Sequence, residues 1–426
     1  WEVLGGAWMQ TGRNERDVMG SCFNPYTKAP ESAHILWKLN TGLGGMRGGE
    51  YGNQIISGAP AKVIMLGRVY YMRDGIHCVD LRTGEELWNP PVKASGSLFA
   101  LPAGTPSLWT TSGAMFSQYN AFTGALMKNV TGPGADLRIA RTVMDHNGIF
   151  YVSIYDVNSQ FLSLTKWNST KATYAGGWKS GIIWETKNET LNIPSQALAN
   201  LLVWQEGGII FMSPNGGQYN AAFNDTDGKL MWDIKRTDVL GFEGAGGVAQ
   251  GIGFAPGSSD MKIHGYDMLT GEEVWESEPA TEPWGAFCAY QAGVAYGKYY
   301  YGSYDGYLRA LDVTNGKTVW KFYSGDSGYE TPYGTWAFYG NPAIADGKIY
   351  MATNEHTPTN PLTRGNRLYC LNAETGEYIW SIMGCQGQTA VADGVLVASD
   401  GYSSYMYAFA KGETKTTVNA PLTYVP

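Results

Sequence analysis

One phrase recurs along this chain and constrains its fold more than any other feature. A hydrophobic residue, any residue, a small residue and a hydrophobic residue lead to Asp or Asn. Gly follows four positions later, and Trp four positions after that. It reads Ile76-His-Cys-Val-Asp80-Leu-Arg-Thr-Gly84-Glu-Glu-Leu-Trp88 and returns at Ile263–Trp275, Leu308–Trp320 and Leu368–Trp380. Weaker copies run Phe116–Lys128, with Lys128 in the Trp position, and Asn220–Trp232. A degenerate one, Leu164–Thr170, leads to Trp184. The half-copy Met406–Gly412 ends without its Trp, and the missing half stands at the other end as His34-Ile-Leu-Trp37. Aligned on the Trp position, the copies fall at residues 37, 88, 128, 184, 232, 275, 320 and 380, a mean spacing near 49. That is the length of four short strands, the unit of a propeller blade.

The chemistry of the phrase supports this. Asp or Asn caps a turn through its side-chain oxygen, and Gly supplies the positive φ that the turn needs. The Trp then falls between neighbouring sheets. A blade cannot bury both faces alone, so the ring must be complete. Eight Trp positions predict an all-β fold, an eight-bladed β-propeller of four-stranded antiparallel blades. A strand over 34–39 would close it against the C-terminal strands near 394–410. The expected organisation is a lead segment (1–33) packed on the propeller, the propeller itself (34–412), and an extended tail or linker (413–426).

Composition agrees with that architecture. Of 426 residues, 56 are Gly, 28 Tyr and 15 Trp, and 44% are apolar, enough for a large core. Charged residues make up 16%, below the usual ~25%, which disfavours helical bundles. The net charge of −8 lacks the basic footprint of nucleic-acid binding. No apolar run approaches the ~18 residues of a membrane-spanning helix.

The Asp/Asn-x-x-Thr-Gly-x-x-x-Trp phrase resembles the signature of the pyrroloquinoline-quinone (PQQ)-like repeat family. The lead, with Asn24-Pro25-Tyr26 and Pro30, is similar to archaeal surface proteins carrying such repeats. The family includes quinoprotein alcohol dehydrogenases and a non-catalytic outer-membrane assembly propeller. In the dehydrogenases the resemblance implies PQQ between a Trp floor and two adjacent disulfide-bonded cysteines, with Glu, Asn and Asp around Ca²⁺. This chain has no adjacent cysteines. Cys22, Cys78, Cys288, Cys370 and Cys385 form no CxxC, and only Cys370 and Cys385 are near enough in sequence to suggest a bridge.

Several residues are singled out. Glu50, Asp136, Glu243, Glu282 and Glu330 each follow a Trp position by 7 to 13 residues, in the connectors between blades. Trp284 and Trp336 share those connectors. If the carboxylates converge, they would take Ca²⁺ or a basic or sugar-like ligand; if not, they are solvated acids. Glu355 and His356 are a candidate metal pair in a Pro- and Thr-rich insertion. His77 and His264 share a repeat position with Arg309 and Tyr369, so both read as ordinary strand residues. Of four N-x-S/T sequons, Asn168 and Asn224 fall on the turn-capping position, leaving Asn129 and Asn188 as the glycosylation candidates.

The expected function is a non-catalytic extracellular or cell-surface propeller, a scaffold binding other surface proteins, glycans or copies of itself. No cofactor is expected beyond Ca²⁺, and no PQQ. The alternative is a PQQ-dependent quinoprotein-type oxidoreductase.

Overall fold

The computed structural model describes residues 7–9, 22–42, 45–47, 54–56, 59–89, 96–132, 137–145, 147–156, 162–173, 176–186, 201–214, 219–236, 246–257, 259–281, 292–354, 364–385 and 387–412. They form an eight-bladed β-propeller. Each blade is antiparallel. The innermost strands are, in order, Ala61–Met65, Ser97–Leu101, Leu137–Met144, Leu201–Glu206, Gly247–Ala249, Ala292–Ala295, Ala343–Ala345 and Thr389–Ala392. The inner strands of blades 1 and 2, and of successive blades from 3 to 8, touch, and that of blade 8 meets that of blade 1. Closure is by sequence ends. Ile35–Asn40 is the outermost strand of blade 8, antiparallel to Tyr405–Phe409.

The repeat phrase explains how blades adhere. Each capping Asp or Asn turns its side-chain oxygen onto following backbone N–H groups; Asp80 Oδ1, for example, accepts from Arg82 N at 2.8 Å and Thr83 N at 2.9 Å. The peptide just after that residue is held from both sides. Its N–H donates to the carbonyl of its own blade's inner hairpin, as Val313 does to Gly297 and Met268 to Gly251. Its carbonyl accepts the indole N–H of the preceding blade's Trp. These bonds run Trp37 to Leu81, Trp88 to Ala121, Trp184 to Asp225, Trp232 to Met268, Trp275 to Val313 and Trp320 to Ala373, at 2.8–3.1 Å. Gly316 shows why the turn needs glycine twice over. Its φ is +69°, and a Cβ there would lie 2.3 Å from the Trp275 ring.

Two copies lack the Trp of the phrase, and each is compensated chemically. In blade 2, Lys128 replaces the indole: its Nζ donates to Ser169 O at 3.1 Å and Ala172 O at 2.7 Å while lying over the Trp109 ring. Ser169 follows the capping Asn168, so the ammonium reaches the carbonyl an indole would. Burial lowers the Lys128 pKa. In blade 8 the phrase stops short, and the lead supplies the acceptor: Pro30 O receives the Tyr350 hydroxyl at 2.6 Å and the Trp380 indole at 3.5 Å.

The lead also enters the ring. Ala7–Met9 pairs antiparallel with the inner strand of blade 1, and Phe23–Asn24 pairs parallel with that of blade 7. Both lie on the axial side of those strands and also touch the inner strands of blades 8 and 6. Trp8 and Asn24 have no exposed surface. The Asn24 amide donates to Ala7 O at 3.0 Å and Val391 O at 3.2 Å, tying the two lead strands to blade 8.

Candidate functional site

A propeller has two unlike faces. Here one carries the tight hairpins and Gly turns just described. The other carries the connectors between blades and the loops joining second to third strands, and it has the chemical variety of a site. One part of it spans blades 5 to 7. Asp305, in the blade 6 loop Ser303–Gly306, is 6% exposed and sits at its centre. Its carboxylate accepts from Tyr307 N at 3.1 Å, from Thr281 N and Oγ1 at 3.2 Å each, and from both Arg309 Nη atoms. Burial pushes the Asp305 carboxyl up, but the Arg309 guanidinium and the backbone donors outweigh it and hold the pKa below its ordinary value. The guanidinium also lies over the rings of Tyr301 and Tyr307. A buried charge so fully matched fixes a loop; it is not free to act on a ligand.

Residues 324–342, the connector from blade 6 to blade 7, are wholly described. Glu330 is there, and its carboxylate pairs with Arg364 at 2.7 Å on the surface. The Arg364 hydrogen bonds hold its pKa below the usual value. Trp336 covers Gly365, where a Cβ would lie 2.8 Å from its ring. Tyr304 meets Tyr333 edge-on at 4.6 Å, and Tyr329 stands fully in solvent. The Tyr323 hydroxyl donates to Asp326 at 2.6 Å, and burial together with that carboxylate pushes its pKa up to about 12. Glu330 and Trp336 therefore share one compact connector, with the acid committed to an arginine. Glu50, Asp136, Glu243, Glu282, Trp284, Glu355, His356 and Asn188 lie outside the described residues.

His264 is more than an ordinary strand residue. It is 2% exposed, with Nε2 2.9 Å from Asp260 Oδ2 and Nδ1 2.7 Å from Glu273 Oε1. Asp260, His264 and Glu276 place ligand atoms within 4.8 Å of one another, with Lys262 Nζ on Glu276. Among the described residues this is the group with metal-binding geometry, and the imidazole and ammonium already stand among its carboxylates. The signal was legible: an acid four residues before the shared position occurs at Asp260–His264 and again at Asp305–Arg309. His77 instead stacks on Tyr71 and contacts Arg73 O.

Two further expectations are corrected. Cys370 and Cys385 form no bridge; both are free, buried thiols pushed up to about 12 by burial, as is Cys78. Cys370 points into its blade core beside Tyr350, so nearness in sequence did not bring the pair together. Asn129, whose place in the sequence put it just after the last strand of its blade, lies within the outer strand Leu126–Thr131 of blade 2 and is exposed. Asn168 and Asn224 do cap turns, accepting from Thr170 N and Thr226 N.

A ring of four-stranded blades joined by indole-to-carbonyl bonds defines the class as a repeat-built β-propeller. Its repeats are similar to those of the PQQ-like β-propeller repeat family. Residues 304–420 match the family model described as outer membrane protein assembly factor BamB. A quinohemoprotein alcohol dehydrogenase of Comamonas testosteroni is 31% identical over 171 residues, covering 38% of this chain and 22% of that protein. The dehydrogenase subunit of a quinone-type alcohol dehydrogenase of Gluconobacter oxydans is 31% identical over 133 residues, covering 29% and 17%. The chain thus spans about a fifth of the length of these relatives. A solved quinohemoprotein alcohol dehydrogenase of Pseudomonas putida superposes with a TM-score of 0.59 at 12% identity, over 99% of this chain and 82% of that one, a likeness of fold.

These relatives overturn the expectation of a non-catalytic protein. That expectation rested on the missing adjacent cysteines. Such a pair is one way of roofing a cofactor, and its absence excludes that roof rather than a reaction class. The described residues nevertheless do not reproduce the family's PQQ clamp. There is no adjacent cysteine pair, and Arg309 and Arg364, which could meet a polycarboxylate, are bound to Asp305 and Glu330.

Proposed function

We propose that this chain is the propeller of an oxidoreductase related to the quinoprotein alcohol dehydrogenases, acting on an alcohol. The observation that carries the reading is the 31% identity over 171 residues to a quinohemoprotein alcohol dehydrogenase. The geometry is compatible with a site on one face. The lead strands Ala7–Met9 and Phe23–Asn24 line the axis beside the inner strands of blades 1 and 7, and the connector face is the one with the chemical variety of a site. On that face the chain's own residues shape and stiffen the rim: Asp305 fixes the blade 6 loop through Arg309 and Thr281, and Trp336 packs over Gly365. Since the described residues do not form the family's clamp, no reaction step is assigned to a quinone.

The test is reconstitution. The purified chain is incubated with PQQ and Ca²⁺, desalted, and assayed for the near-ultraviolet band of the cofactor and for alcohol-dependent reduction of an artificial dye. Retained cofactor with dye reduction supports the reading. Dye reduction without retained PQQ would support the oxidoreductase and replace its cofactor. Neither signal would refute the reading.

A further inference from the structure

Several lysines and arginines with buried stems are matched by an acid: Lys166 by Asp225, Lys298 by Glu374, Lys348 by Asp346, and Arg309 by Asp305. Lys128 has two carbonyls. Lys62 differs. It is part-buried at the head of the inner strand of blade 1, and its hydrogen bond is to a neutral amide, Gln388 Oε1 at 3.1 Å. Among the described residues no carboxylate pairs with it, and burial alone lowers its pKa. A cation taken partly out of water without a counter-charge costs stability.

The backbone shows a local device at this residue. The pairing of the first two strands of blade 1 slips between Ala61 and Val63, so Lys62 is the extra residue of a β-bulge. Bulges re-aim a side chain. Counted back five residues from each blade's inner-hairpin position, the other blades have Leu101, Val143, Val203, Gly246, Ala292, Pro342 and Thr389. None is charged. Blade 1 alone places an ammonium there, one residue beyond the lead strand's last pair, Met9 with Val63. Across the blade 8–blade 1 junction, Gln388 stands just before the inner strand Thr389–Ala392. Because its Oε1 accepts from Lys62, its amide NH₂ keeps two donors of its own. An ammonium with hydrogens to spare and an amide NH₂ thus stand together where connectors enter the ring.

We propose that Lys62 and Gln388 bind the carboxylate group of a small organic anion at the connector end of the inner strands of blades 1 and 8. One ammonium and one amide match a singly charged, planar oxyanion. A doubly charged phosphate would call for a second cation, and none stands with Lys62 among the described residues. The site is argued from the bulge and a charge unmatched among the described residues, so it stands whether or not the chain is an oxidoreductase.

Thermal melting of the full chain in sodium succinate, sodium phosphate and sodium chloride at equal ionic strength tests it. Succinate is expected to raise the wild-type Tm by about 2–3 °C near saturation, since a ligand bound only by the folded state must stabilise it. Lys62→Met should melt above the wild type without anion, because it removes an uncompensated charge, and should ignore succinate. Gln388→Glu supplies the missing carboxylate internally; it should also melt higher and lose the response. Equal succinate responses in wild type and Lys62→Met, no response in the wild type, or a phosphate response exceeding succinate would each overturn the proposal. So would a Lys62→Met chain that melts below the wild type, which would make the ammonium a structural group.

Discussion

Asn24 is where the lead is locked into the ring, and replacing it gives a sharp test of that role. The side chain has no exposed surface, and its amide donates to Ala7 O and to Val391 O, while Oδ1 accepts from Tyr26 N at 3.2 Å. Asn24→Asp keeps the shape but turns a carboxylate oxygen toward two carbonyls. Two hydrogen bonds of about 1 kcal/mol each are lost, and burying an unmatched acceptor costs about 1–3 kcal/mol more. The expected loss is therefore about 3–5 kcal/mol. At about 2.1 cal/mol/K of unfolding entropy per residue, a 426-residue domain melting as one unit would lose about 3–5 °C. Alternatively the lead could detach first, and two measurements separate the cases. Calorimetry reads the global Tm, and limited trypsinolysis reads cleavage after Lys28, whose ammonium is held by Asp346 at 3.0 Å in the native chain. Asn24→Asp should either lower Tm by several degrees or make Lys28 cleavable below the main transition. A variant that melts within 1 °C of the wild type and resists trypsin equally would refute the claim that this amide locks the lead.

Other expectations follow from the same geometry. Gly316→Ala places a Cβ in the Trp275 ring at positive φ and should cost about 2–4 kcal/mol in urea unfolding; a neutral result would mean the indole has room to retreat. Lys128→Met keeps the aliphatic stem but leaves Ser169 O and Ala172 O without their shared donor. It should lose about 1–3 kcal/mol, partly offset by removing a desolvated ammonium. The folded-state pKa of Asp305 is depressed, so its contribution is present above the unfolded carboxyl value of ~3.9 and is lost as pH falls through the lower folded value. Asp305→Asn should accordingly flatten the acid limb of the stability–pH curve, and an unchanged limb would count against the pairing. Finally, if Glu50, Asp136, Glu243, Glu282 and Glu330 converge on a cation, millimolar Ca²⁺ should raise Tm; no shift would leave them as separate acids.

The ring was legible in sequence because its parts are local. A capping Asp or Asn, a Gly of positive φ and a Trp eight residues beyond the cap specify a turn and an inter-blade bond within one short stretch, so counting copies counts blades. Even the defect at Lys128 marked its own place, although only packing showed the ammonium doing the indole's work on Ser169 O. The closure of blade 8 could be inferred from the two half-copies, since an unmatched outer strand must find its sheet. The site was another matter. Asp260 and His264, Lys62 and Gln388, and Asn24 and Val391 are brought together by loops, a bulge and a lead segment that carry no repeat. Their separations in sequence range from 4 to 367 residues. Periodicity determines which residues build the blades. Which charges are matched, which thiols stay apart and which amide threads the axis depend on distances across the ring, and only the closed tertiary structure sets those.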